Sequence, residues 1–205
     1  MGFGHLSALT ILIPLATAGI SFSKLNKTLK KLSVFVILSA CTEASAILLG
    51  SLGVNNMPVS HIFTFLQVLI FAWIFVEIFS GWGKRVVQSL LALFIGFSIL
   101  NWILWENFVD FNSNQRYVAA IVLIVFCTGY FVHIFVKTSI ERIERDPYFW
   151  MCASLLLYTT GTLFLFIFGQ EILRTDHHTY INVNGVLNIL LNTGLTITLW
   201  LGRKK

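Results

Sequence analysis

Residues 116–137 read RYVAAIVLIVFCTGYFVHIFVK. Two cations bracket twenty residues in which only His133 changes charge near neutral pH. A hydrocarbon core of ~30 Å is crossed by roughly 20 helical residues, so this stretch is one crossing long. Every residue from Val118 to Phe126 is apolar. A membrane β-strand instead alternates apolar and polar residues over ~10 positions, so the stretch reads as a helix.

Six further blocks repeat the pattern, at about 5–22, 32–53, 61–80, 87–105, 148–168 and 183–201. The 57% hydrophobic and 11% charged composition agrees with them. Soluble domains carry roughly 25% charged residues, so a soluble domain is excluded. The reading is an all-α polytopic membrane protein, a single domain over residues 1–205 built as a bundle of seven transmembrane helices. Its longest loops, about 106–116, 137–147 and 169–182, are too short to fold alone.

The cations set the threading. Lys24, Lys27, Lys30 and Lys31 lie between the first two blocks, and Lys84 and Arg85 between the third and fourth. Lys137, Arg142 and Arg145 follow the fifth, and Arg203, Lys204 and Lys205 end the chain. These alternate segments hold 12 of the 14 Lys and Arg residues; Arg116 and Arg174 stand on the other side. Cytoplasmic loops retain cations, which predicts an outside N-terminus and a cytoplasmic C-terminus. The net charge of +5 then belongs to a lipid-facing inner surface rather than to nucleic-acid binding. The first block lacks the positive start of a secretory signal and reads as a retained helix, bent or loosened at Pro14. Asp146 and Pro147 read as the cap and first residue of the sixth helix. Cys41, Cys127 and Cys152 fall inside apolar blocks as small packing residues.

Polar residues inside the blocks carry the functional reading, because each is costly in lipid. Glu43 lies near the middle of the second helix, where an acid costs about 2.5–3.5 kcal/mol. It reads as a proton, cation or ligand contact, or as a buried acid bridging helices. Asn184, Asn188 and Asn192 recur every four residues on the seventh helix, within an arc of about 80°. They line a pocket or bond neighbouring helices. Gln67, Asn101, Tyr158 and Thr160 complete an expected ligand-binding set in one polar cavity, entered from outside and ending near Glu43. His61, His177 and His178 are weak metal candidates, since no pair has helical ligand spacing. Glu77 and His133 end their helices at similar depth, as a pair or as interfacial side chains. No catalytic set can be assembled, and no cofactor is implied.

A retinal protein is excluded because the seventh helix has no internal lysine. The run Asn55-Asn56, His61-Ile62-Phe63-Thr64 and Gln67 resembles a pattern in uncharacterised bacterial seven-helix integral membrane proteins. So do Phe149-Trp150, Leu156–Tyr158, Gly161-Thr162-Leu163-Phe164 and the Asn188/Asn192 helix. That pattern places an acid where this chain has Gln67. Some of those proteins are similar to membrane sensor regions fused to histidine kinases. The resemblance implies a sensory or signalling module in a bacterial inner membrane. The chain ends four residues after its last helix, so signalling is expected to run through a separate cytoplasmic protein. A small-solute or ion transporter using Glu43 and the Asn stripe is the alternative, and a membrane enzyme acting on lipid is the third reading.

Overall fold

The computed structural model describes the backbone of residues 3–137, 142–175 and 177–203, and the side chains of 6–136, 142–165, 167 and 181–203. The described residues form helices α1 (Phe3–Leu9), α2 (Leu12–Ser21), α3 (Lys27–Ser51), α4 (Met57–Ile78), α5 (Gly81–Leu104), α6 (Asn114–Lys137), α7 (Pro147–Thr175) and α8 (His177–Leu201). Among the described residues, seven spans are long and apolar enough to cross a membrane, the first being Leu6–Lys24 through α1, α2 and the 3-10 turn that follows. The protein is an all-helical membrane protein whose outer faces meet lipid. Trp82, Ile103 and Leu93, among others, are exposed around the bundle.

The first crossing breaks at Thr10 and Ile11, between α1 and α2. Pro14 has no N–H for the Thr10 carbonyl four residues earlier, so the helix opens at that level. Ile13 N–H takes this carbonyl instead at 3.1 Å, a tighter turn.

Several helices start earlier than apolar content alone suggests. α3 begins at Lys27 because the Asn26 side chain accepts the Leu29 N–H at 2.9 Å. α4 begins at Met57 with proline in its first turn. α5 takes in Lys84 and Arg85. Lysine and arginine are good helix formers, so a helix continues past the hydrocarbon edge with its charges in water. Asp146 caps α7 by accepting the Tyr148 N–H at 3.0 Å. Past the end of α3, Gly53 takes a φ of +68°, while Val54 N–H bonds the Leu49 carbonyl at 2.9 Å. That is a Schellman turn, and glycine adopts its left-handed conformation without strain.

The helices pack α2–α3–α4–α6–α7–α8 in a closed ring, with α1 on α8 and α5 outside against α4 and α6. α7 and α8 pack where a Cβ on Gly194 would lie 2.2 Å from the Ser154 Cβ. Small residues allow this approach, and between membrane helices it supplies van der Waals contact that lipid does not.

The ring is uneven along its length. Ten of the Lys and Arg residues whose backbone is described cluster toward one end, called here the cation-rich end. The core fills that half, with Phe35, Phe71, Phe75 and Phe126 all buried. Phe35 and Phe71 stand 4.7 Å apart, and Phe75 and Phe126 5.3 Å apart. α3 shows the change best. Leu29, Leu32, Phe35 and Val36 are buried, whereas no residue from Ile37 to Ser51 is.

Candidate functional site

Where α3 loses its packing, a cavity of about 370 Å³ opens between α3, α4, α6, α7 and α8. Glu43, Gln67, Tyr158, Asn184 and Asn188 all line it. Five positions chosen from sequence for their cost in lipid therefore meet in one space. The volume lies within the ~300–1,000 Å³ of small-molecule sites.

Glu43 stands eight residues from the end of α3 at Ser51, so its backbone lies about 12 Å below the cation-poor end. Its half-buried carboxyl group faces the Asn188 side chain across the cavity, close enough to interact with it electrostatically. Ser39 and Thr42 flank it on α3, while Thr159 and Thr162 enter from α7. Thr42, Thr159 and Thr162 each donate to the carbonyl four residues earlier, at 2.9, 2.7 and 2.8 Å. Their hydroxyl oxygens keep acceptor capacity toward the cavity. Phe63 and Leu123 supply apolar wall.

Arg116 was not among the residues expected here, yet it lines the cavity near the start of α6. Its Nη2 donates to Ser60 Oγ at 2.5 Å, and its guanidinium lies 5.7 Å from the centre of the Phe111 ring. A signal for it existed. It is one of the two cations on the side otherwise free of them, and sequence placed it at a helix entrance.

The other expected residues lie elsewhere. Asn101 is buried between α5 and α6, donating to Glu106 Oε2 at 2.9 Å and accepting from Asn114 Nδ2 at 3.2 Å. Glu106 also accepts the Ser113 and Asn114 N–H groups at 2.9 and 2.8 Å, so this cluster caps α6. Asn192 donates to Thr10 Oγ1 at 2.8 Å, tying α8 to the break in the first crossing. Thr160 is exposed on α7, on a face away from the cavity. Nor do Glu77 and His133 pair. Glu77 meets Lys31 at 2.6 Å and Thr28 at 2.7 Å, while His133 packs edge-on against Phe79.

His61 is fully buried, with Nε2 3.2 Å from the Asp110 carbonyl and its ring against Phe108. The side chains of His177 and His178 lie outside the described residues. Among the described residues, no group of three His, Cys, Asp or Glu gathers to hold a metal ion. Cys127 and Cys152 are buried in the core, and Cys41 is exposed on α3.

The cavity therefore offers one carboxyl group, one guanidinium, and amides and hydroxyls between apolar walls. That is equipment for binding a polar molecule. In comparisons with known proteins, the chain matches no family profile, no curated protein and no solved structure.

Proposed function

We propose that this protein is a membrane sensor module that binds a small polar molecule in the cavity and reports its presence to a separate cytoplasmic signalling protein. The carrying observation is the convergence of Glu43, Gln67, Tyr158, Asn184 and Asn188 on one cavity in the cation-poor half. Cation asymmetry supports an outward-facing cavity and a cytoplasmic C-terminus, while the resemblance to bacterial seven-helix proteins supports a bacterial inner membrane. The packed half beneath supports sensing over transport. A solute leaving toward the cation-rich end would have to part Phe35, Phe71, Phe75 and Phe126, which are buried against one another.

α3 provides a route for the signal. Its loosely packed segment carries Glu43. Twelve residues away on the same helix, Lys31 is locked to Glu77 on α4. That spacing is about 18 Å of continuous helix. A ligand that engages Glu43 and Asn188 changes how this segment of α3 sits against α8, and the rigid lower segment carries the shift to the cation-rich surface.

Affinity purification from native membranes tests this reading. A signalling protein should co-purify, and Ala46→Trp, which fills the cavity, should change that protein's activity without lowering expression. Solute counterflow in liposomes that Glu43→Gln abolishes would instead establish the transporter reading.

A further inference from the structure

We infer that the ligand is an uncharged polyhydroxyl compound, held by an acceptor-rich lining that Glu43, Thr42, Thr159 and Thr162 form opposite Gln67; this rests on reading the cavity as a ligand site. What each lining group has left to offer fixes the class. Thr42, Thr159 and Thr162 give their one hydroxyl hydrogen to a backbone carbonyl, so each presents only acceptor lone pairs. Glu43 has acceptor positions whether or not its carboxyl group carries a proton. These acceptors come from two helices, α3 and α7.

Gln67 points to a ligand independently. Its side chain is 7% exposed, lines the cavity from α4, and has no partner among the described residues. An amide both donates and accepts, and burying one unpaired is costly. A molecule in the cavity that offers both capacities satisfies it.

Other classes fit this lining less well. An anion brings further acceptors, and the Arg116 guanidinium is already engaged by Ser60 Oγ and lies against the Phe111 ring. A cation supplies donors but shares the cavity with that guanidinium, in a membrane interior where charge is expensive. A small amide gathers its donors on one nitrogen. A polyol carries a donor on each hydroxyl, spread along its carbons, so it reaches α3 and α7 together. Each hydroxyl also accepts, which serves Gln67. Its C–H edges meet Phe63 and Leu123. Free sugars and sugar alcohols carry this chemistry, and so does the head of a glycolipid.

The test uses the full chain in phosphatidylcholine nanodiscs, a lipid whose headgroup has no hydrogen-bond donor. Melting temperature is followed on adding sugars and sugar alcohols, their O-methylated forms, carboxylic acids, amines, amino acids or amides, and in separate discs containing a glucosyl diacylglycerol. Polyols also stabilise proteins by exclusion from their surfaces, so Ala46→Trp, with its cavity filled, serves as the blank. A saturable rise above the blank with sugars or sugar alcohols, lost on O-methylation, supports the inference with a soluble source. A rise confined to the glycolipid discs supports it with a lipid source.

Gln67→Leu and the nearly isosteric Thr159→Val should each weaken the polyol by about 10-fold. Glu43→Leu should do the same, and Glu43→Gln, which keeps an acceptor, should recover most of that loss. A merely structural role would lower the starting melting temperature and leave the half-saturating polyol concentration unchanged. An equal or larger saturable rise with an acid, amine, amino acid, amide or O-methylated form, abolished by Ala46→Trp, overturns the polyol and leaves the ligand site standing. No saturable rise with any class overturns both.

Discussion

The two halves of the bundle use the same helices for opposite ends. Toward the cation-rich end, α3, α4, α6, α7 and α8 interlock through Phe35, Phe71, Phe126, Met151 and Leu195, all buried. Toward the cation-poor end, the same five helices stand around a polar cavity, and α3 has no buried residue beyond Val36. Among the described residues, most buried side-chain polar atoms without a hydrogen-bond partner lie in that second half, Ser21 Oγ at the other end being an exception. They include His61 Nδ1, Asn112 Oδ1 and both amide atoms of Gln115. Each costs about 1–3 kcal/mol if left unsatisfied. One half is arranged for cohesion, and the other gives up cohesion around a polar cavity.

Large-to-small changes in the two halves test this contrast most strongly. Phe75→Ala should cost about 3–5 kcal/mol, because its fully buried ring leaves a void among rigid neighbours. Phe63→Ala merely enlarges an existing cavity and should cost under ~1.5 kcal/mol. Unfolding of the two variants in mixed micelles gives the comparison directly, and equal losses would break it.

The ion pair at the cation-rich end should come next. The Lys31 side chain is 8% exposed, and its Nζ lies 4.1 Å from the centre of the Trp73 ring and donates to the Trp73 carbonyl at 3.1 Å. Glu77→Ala should cost about 2 kcal/mol, below the ~3–5 of a fully buried pair because Glu77 is 38% exposed. Lys31→Met combined with Glu77→Met should recover much of that loss, since no charge is then left buried. Thermal unfolding of the single and double variants measures it.

Smaller effects separate the asparagines. Asn192→Ala should cost ~0.6 kcal/mol, the usual contribution of an interhelical hydrogen bond in a membrane. It should also raise hydrogen exchange around Thr10, where α1 meets α2, and leave ligand stabilisation intact. Thr160→Val should change neither stability nor binding by more than ~0.5 kcal/mol, as the side chain faces outward. A loss of binding in Thr160→Val would show that the site extends across α7.

Much of this was legible in the chain. Block lengths and charge spacing indicate seven helices, and Asp146-Pro147 marks the start of α7 as observed. Glu43 stood out because an acid near mid-bilayer has few tolerable positions, and it does point inward. The cost of a polar group in lipid depends only on its position along a crossing, so sequence reveals which residues must turn inward.

Tertiary structure alone decided what they turn toward. Asn188 and Asn192 lie one turn apart on the same stripe, yet one meets Glu43 across the cavity and the other meets Thr10 in the first crossing. Arg116 joined the site only because the α5–α6 connection brings the start of α6 beside Ser60 on α4. Helical periodicity gives the direction of a side chain around its own axis. It carries no information on which neighbouring helix occupies that direction, or at what depth, and packing alone supplies that.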